Sequence, residues 1–335
     1  MRRAAFSVAM LVLALLGLGG CGDGPGSGAD LTIYSGRNEE LVGDLLERFE
    51  RETGLKVDVR YGDSAELAAT IAEEGDNSPA DVFFSQDAGA LGAVEGTLTT
   101  MPRSVLGAVP ERFRDPGNRW AGVSGRARVI AYDTKKFDED EVPDSVFDLT
   151  AKRWKGKVGL PPSNASFQAF VSAMRLDVGD ERTREWLEAM KDNDPKVYDN
   201  NIQTVEAIGR GEIELGLVNH YYLYELKRED PDLAAANHFP KAGDPGSLIN
   251  AAGVGILRTT DHKNNAERFA RFLVSREAQR YFADRTSEYP LIGGVARRGD
   301  LPPLDEVIGP QVELGKLGEK LRSTLDLLNE VGFTT

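Results

Sequence analysis

Cysteine is all but missing from this 335-residue chain, where Cys21 is the only one. A lone thiol cannot close an internal disulfide, so disulfides play no part in holding the fold together. Histidine is nearly as scarce: His220, His238 and His262 are scattered. There is no Gly-x-Ser-x-Gly elbow, no P-loop, no dinucleotide Gly-x-Gly-x-x-Gly and no His-Glu-x-x-His. Those absences argue against an enzyme. Positive charge is also in short supply, with 40 Lys and Arg against 54 Asp and Glu and a net charge of −14. Such a surface argues against nucleic acid or an anionic lipid surface as partner, although solubility alone is a sufficient reason for it. No internal repeat is present.

The first thirty residues stand apart from the rest. Arg2 and Arg3 form a basic n-region, and Phe6 to Leu18 is an apolar stretch too short to span a bilayer with confidence. Leu18-Gly19-Gly20-Cys21 resembles the bacterial lipobox, a leucine and two small residues before a cysteine. Thioether lipidation of Cys21, with cleavage just before it, accounts both for the motif and for a cysteine without a partner. Residues 1–20 are therefore expected to be a signal peptide and 21–30 a lipidated tether. This places the protein outside the cell, held to the outer face of the cytoplasmic membrane by its lipid alone. A plain secreted protein is the alternative.

The remaining length suffices for two bodies, each with its own core. Short apolar strands at Leu31 to Tyr34, Lys56 to Tyr61 and Asp81 to Ser85 alternate with helical runs at Leu41 to Phe49 and Leu67 to Ile71. Ser64 is expected to cap the second of these helices. Alternation of this kind implies parallel strands joined by right-handed crossovers. Arg128 to Asp133 reads as a strand that passes between bodies. A helix near Val146, a strand at Val158 to Leu160, and helices up to Leu176, over Glu181 to Lys191 and over Asn201 to Arg210 follow. Gly253 to Leu257 reads as a second crossing. A helical pair and a last amphipathic helix, Leu317 to Val331, close the chain. The loop Pro161 to Ser166 opens a helix whose free N–H groups offer an anion site, or simply an ordinary N-cap.

The centre of the chain is Gly211 to Leu226. Glu214 to Val218 is a buried strand, Asn219 is expected to cap the next turn, and Tyr221 and Tyr222 open a helix. Ligands bind where strands hand over to helices in open α/β sheets. Tyrosines with apolar bodies and polar tips also form wet core edges, so the pair alone leaves both readings open.

Asn219-His220-Tyr221-Tyr222 resembles the paired-tyrosine motif of bacterial ferric-ion-binding proteins, the solute receptors of iron(III) ABC transporters. The likeness recurs in the family's order at Tyr34-Ser35-Gly36-Arg37, Ser78 to Phe83, Ser124 to Val129, Asp199-Asn200-Asn201, Glu288-Tyr289-Pro290-Leu291 and Leu328 to Gly332. It spans essentially the whole chain after the leader. The resemblance implies a two-lobed α/β periplasmic-binding-protein fold of type II, with the ligand cleft between lobes and two crossing segments. Residues 31–127 with 254–295 would form one lobe, and 128–253 with 296–335 the other. It further implies a monomer that captures Fe(III) through Tyr221 and Tyr222, closes by a hinge and delivers the ion to an ABC permease. A synergistic anion, phosphate or carbonate, would sit near Asn164, Ala165, Ser166, Asn201 and Asn219.

Two phenolates suit a small, hard trivalent cation, and phenols bound to it give up their protons. They leave about one positive charge uncompensated. Here the chain departs from the family. Asn38 stands where a histidine is usual, Gln86 where a glutamate is usual, and Glu39 and Ser166 where a second branch has extra tyrosines. Asp87 replaces a neutral glutamine beside the anion. Asn38, Glu39, Gln86 and Asp87 are thus further candidate ligands, with Asp87 and Glu39 the sources of negative charge. A same-fold receptor for an organic ligand such as thiamine, a polyamine or a phosphonate is the competing reading.

Mass spectrometry of membrane-associated protein should find a diacylglyceryl-modified Cys21 at the N-terminus. An intact Met1, or cleavage well past Cys21, would refute the lipoprotein reading.

Overall fold

The computed structural model describes residues 28–334, so Cys21 and the leader lie outside the described residues. The chain begins with alternating strands and helices: β1 (Leu31–Ser35), α1 (Glu39–Thr53), β2 (Val57–Tyr61), α2 (Ser64–Glu74), β3 (Val82–Ser85) and α3 (Ala88–Ala93). β1 pairs in parallel with β2 and with β3, as right-handed crossovers require. α1 buries Val42, Leu45, Leu46 and Phe49, a single stripe at helical spacing. It ends at Gly54, whose φ of 69° is the left-handed turn that glycine makes without strain. The cap of α2 is Asp63, not Ser64: its carboxylate accepts the N–H groups of Ala65 and Glu66. Ser64 already lies in the helix, and its hydroxyl instead accepts the Gln86 N–H at 2.9 Å.

A short α4 (Arg103–Leu106) precedes β4 (Trp120–Asp133), a strand of 14 residues buried along its whole length. A second alternating body follows, with β5 (Val158–Leu160), α5 (Ala165–Val178), α6 (Asp180–Asp192), β6 (Lys196–Val197), α7 (Asn201–Gly209), β7 (Leu215–Asn219), α8 (Tyr221–Glu229) and β8 (Ala235–His238). The expected helix near Val146 is a 3-10 turn, Val146–Thr150, started by the Ser145 hydroxyl. The chain returns through β9 (Ile249–Ile256), α9 (Lys263–Leu273), α10 (Arg276–Asp284), β10 (Tyr289–Pro290) and α11 (Leu317–Glu330).

β4 belongs to both bodies. From Trp120 to Ala127 it pairs antiparallel with β9, beside β3 and β1. From Arg128 to Tyr132 it pairs antiparallel with β7, and Ile130 to Asp133 also pairs with β8. The switch of sheet falls between Ala127 and Arg128. β9 is paired in the first sheet from Ile249 onward, ahead of the boundary near 254 that the sequence pattern marks.

α11 packs on α3 and on α5, and so touches both bodies. Towards α3 the approach is backbone against backbone: a Cβ on Gly92 would stand 2.0 Å from the Gly315 carbonyl oxygen, and one on Gly318 2.2 Å from that of Gly89. Towards α5 the contact is polar. Ser172 and Thr324 share a hydroxyl bond of 3.0 Å, and Arg175 donates to Ser323 and Thr324 at 2.9 Å. Gly92→Ala should force α3 and the 315 turn apart and cost about 1–3 kcal/mol, the usual penalty of overpacking. An unchanged urea midpoint would show that this close approach is not a constraint.

Candidate metal and anion site

β7 is buried at all five positions and hands directly to α8. His220 already has helical dihedrals, φ −57° and ψ −36°, so the helix turns at once and Asn219 stays in the strand. The expected Asn219 cap is therefore not made. The reason lies in how the backbone is satisfied: the Asn219 N–H donates to Asn201 Oδ1 and the His220 N–H to the Ala127 carbonyl, both at 3.0 Å. This tight handover puts Tyr221 and Tyr222 side by side, ring centroids 4.2 Å apart and planes inclined by 32°. Consecutive residues of a helix normally diverge, but here the two phenols run together. Tyr224 goes elsewhere, with the Arg298 guanidinium 4.4 Å over its ring.

Three arginines converge near the pair. Arg37, Arg126 and Arg128 are each at most 2% exposed. Arg126 and Arg128 are two apart on β4 and so share a face. Glu288 is fully buried and takes Arg37 in a two-pronged pair, both bonds 2.8 Å, while Thr286 donates to it at 2.7 Å. Arg126 stands 3.8 Å from the same carboxylate, and its Nε and Nη1 have no hydrogen-bond partner among the described residues. Burial alone would raise the Glu288 pKa, but Arg37, Arg126 and Thr286 outweigh it and hold the carboxyl below its ordinary range. Burial brings Arg128 down to about 9, against the opposing pull of Tyr222 and Tyr221. Burial and the adjacent Tyr221 push the Tyr222 phenol well above 10, with Arg126 and Arg37 pulling it back. The guanidinium groups thus favour the phenolate, and burial favours the phenol.

The expected anion residues come together. Asn164 caps α5 by accepting the Ser166 N–H at 3.0 Å, and also accepts the Ser166 hydroxyl at 2.6 Å and Asn201 Nδ2 at 3.0 Å. Ala165 is the first residue of α5. Asn201 reaches on to the Asn219 backbone, two residues before the tyrosine pair. Arg128 closes the ring by donating to the Ser166 carbonyl and to the Leu217 carbonyl. A helix N-terminus, amide groups and a guanidinium are thus gathered in one place, the group types that suit an anion.

The further candidate ligands fare differently. Asn38 and Glu39 are exposed at the start of α1, where the Asn38 side chain makes no cap bond. Glu39 acts on Tyr61, whose pKa is raised by burial and then by Glu39 and Glu40. Gln86 is half-buried, its backbone tied to Ser64. Asp87 caps α3 by accepting the Ala90 N–H at 3.0 Å. Its pKa is raised by burial, and Arg126 pulls it back. Asp87 also lines a cavity of about 200 Å³ shared between the two bodies, together with Asp63 on one side and Ser163, Ala165 and Gln168 on the other. Among the described residues no group of three His, Cys, Asp or Glu is placed to hold a metal. In the sequence the arginines and Glu288 stand out only as members of the ordered motifs. The signal was two arginines at alternate positions in an otherwise apolar strand.

Residues 76–307 match the family described as bacterial extracellular solute-binding protein. The chain belongs to that family. Among the relatives of this solute-binding protein is the major ferric iron-binding protein of Neisseria meningitidis, 33% identical over 91% of this chain and 93% of the relative. The Fe(3+)-binding periplasmic protein of Serratia marcescens is 30% identical over 90% of each. Iron-bound HitA from Pseudomonas aeruginosa superposes with a TM-score of 0.84 at 32% identity, over 90% of this chain and 99% of that one. The Trichodesmium protein IdiA (FutA), solved with iron and citrate ligands, gives 0.80 at 30% identity over 91% and 99%. These likenesses bear out the resemblance read from the ordered motifs, and the fold is the expected two-lobed α/β type II architecture.

Glu288→Gln should leave Arg37 and Arg126 buried without a counter-charge and cost about 3–5 kcal/mol. The pH dependence has a definite sign. A carboxyl held low in the folded state contributes fully above the ordinary carboxylate range, and that contribution is lost as pH falls through the folded-state pKa. Urea melts from pH 7 downward should therefore show the variant losing less stability on acidification than the parent. Equal stabilities at pH 7 would refute the clamp.

Proposed function

We propose that this solute-binding protein captures Fe(III) through the phenolates of Tyr221 and Tyr222, together with a synergistic anion, and delivers it to an ABC permease. The observation that carries the reading is the juxtaposition of two phenols with three buried guanidinium groups and one carboxylate. Phenolate is the donor that a hard trivalent ion prefers, and the arginine field favours the phenolate form. The same field repels a bare trivalent cation. An anion bound with the iron removes the conflict, because it neutralises the charge that two phenolates leave over and meets the free N–H groups of Arg126. Asn164, Ala165, Ser166, Asn201 and Asn219 would surround it at the start of α5 and beside α8, with the Ser166 hydroxyl and Asn201 Nδ2, which now donate to Asn164 Oδ1, turning to the anion. Phosphate and carbonate both fit that chemistry.

Asp87 is already used as a helix cap, and Asn38 and Glu39 face solvent. Of the four candidates this leaves Gln86, a neutral amide, so we assign the remaining negative charge to the anion rather than to a third side chain. Thiamine and polyamines are cations, which the three guanidinium groups disfavour; a phosphonate shares the anion chemistry and is the organic ligand to test against. The relatives named for ferric iron support the metal reading. The lobe division is proposed at the two crossings, between 127 and 128 and between 248 and 249, with the protein acting as an exported monomer tethered through Cys21.

Each of Tyr221→Phe and Tyr222→Phe removes one anionic oxygen and keeps the ring, so the fold should tolerate both. Fe(III) affinity should fall by orders of magnitude, and the phenolate-to-iron charge-transfer colour should weaken in each single variant and vanish in the double. Tyr224→Phe, whose ring lies under Arg298, serves as the control. Parent-like colour and affinity in both variants would refute a tyrosinate site. Colourless parent protein that binds a phosphonate would establish the organic-ligand reading instead.

A further inference from the structure

We propose that His220 is the positioning residue of the tyrosine pair, a two-sided clamp that fixes the first turn of α8 against the crossing strand and against the turn between α10 and β10. The inference rests on the Fe(III) reading only for its readout. Its basis is the number of directions in which this one residue is held. The His220 N–H donates to the Ala127 carbonyl at 3.0 Å. The Ala127 N–H returns to His220 Nδ1 at 3.1 Å. Nε2–H donates to the Ser287 carbonyl at 2.8 Å, and Asn237 Nδ2 donates to the His220 carbonyl at 2.8 Å. One ring nitrogen accepts and the other donates, so the partners select the neutral imidazole with its proton on Nε2.

The partners are not ordinary positions. Ala127 is the last β4 residue paired with β9, and the chain changes sheet at the next one. Ser287 is buried and holds a left-handed φ of 57°, a conformation that strains a non-glycine residue. Strain of this kind persists only where surrounding contacts impose it. The residue after Ser287 is Glu288, which grips Arg37. The imidazole therefore connects three things: the crossing strand, the carboxylate that organises the arginines, and the backbone that carries Tyr221 and Tyr222. The ring itself lies 5.9 Å from that of Tyr221, edge to face, and 5.2 Å from that of Tyr289. Arg228, at the far end of α8, donates to the Arg285 carbonyl at 2.7 Å. Both ends of the tyrosine helix thus rest on one short segment, 285–287.

The test compares the parent with His220→Gln and His220→Ala, using Fe(III) supplied with bicarbonate. A glutamine side chain offers one acceptor and one donor at a spacing close to that of the imidazole nitrogens, whereas alanine offers neither. His220→Ala should lose about 10–100-fold in iron affinity, the usual cost of removing an outer support of a metal ligand, and its charge-transfer band should shift. His220→Gln should restore both to within a few-fold of the parent. A role in bulk stability alone would lower the melting midpoint and leave the band of the folded protein unmoved. Parent-like affinity and band in folded His220→Ala would overturn the proposal. Should His220→Ala not fold, His220→Gln decides: a parent-like band and affinity support the clamp, and loss of either, or failure to fold, overturns it. Absence of any band in the parent protein would refute the iron reading itself. The clamp would then be judged from amide exchange at Ala127, which should quicken in His220→Ala and recover in His220→Gln.

Discussion

Burying three guanidinium groups, two of them against one carboxylate, is the costly choice in this molecule, and much of its architecture serves to sustain it. An unpaired buried charge is worth several kcal/mol against folding. Glu288 relieves both terminal nitrogens of Arg37, whose Nε has no partner among the described residues, and relieves Arg126 in part. Arg128 is relieved differently, by two backbone carbonyls and by the rings of Phe167 and Phe170 beneath its guanidinium. What is left over is aimed at the tyrosine pair. A protein seeking stability alone would bury apolar side chains there. In the proposed function that leftover positive potential is kept for an anion, and at Tyr222 it works against the burial that favours the neutral phenol.

β4 is the device that delivers this arrangement. One continuous buried strand carries Arg126 while paired with β9 and Arg128 once paired with β7. Two charges two residues apart on one face are thereby placed at the junction between bodies. The Ala127 peptide between them is held on both its N–H and its carbonyl by His220. At the junction the chain is thus hydrogen-bonded directly to the residue that precedes Tyr221.

Much of this was legible in the sequence, for reasons that differ by element. α1 and α11 are amphipathic with one buried stripe, so their periodicity is plain. β7 and α8 were found within a residue because apolar character stops at Asn219. The first half of β4 was not found. Trp120 to Gly125 includes two glycines and a serine, and with both faces buried it has no alternation to read. The cap of α2 was misplaced from Asp63 to Ser64 because both residue types cap, and only the fold shows that Ser64 is engaged with Gln86. The arginine cluster eluded reading as a site for a more general reason. Arg37, Arg126 and Glu288 are far apart in the chain, and no local pattern announces that a loop, a strand and a turn will meet. Asp87 shows the converse: its charge suggested a ligand, but the nearest demand on it was the Ala90 N–H at the start of α3.

The two lobes contribute unlike things to the site, and this bears on how closure can be made to depend on ligand. The second lobe supplies the phenols and the hydrogen-bond donors at the start of α5, whereas Arg37 and Glu288 come from segments paired or packed with the first sheet. Iron bound by the phenols alone would leave a positive complex facing arginines, and the lobes would gain nothing by closing on it. Under the proposed function, iron bound with an anion would present negative oxygen to Arg126 and Arg37, and closure would then be favoured by contacts made only when the lobes are shut. A ligand shifts such an equilibrium only through its differential contacts with the two states. On this argument the anion does more than complete a coordination shell. In the proposed function it would be the part of the ligand that the first lobe recognises, so the loaded second lobe would be negative, and the empty one neutral, where they meet the arginines.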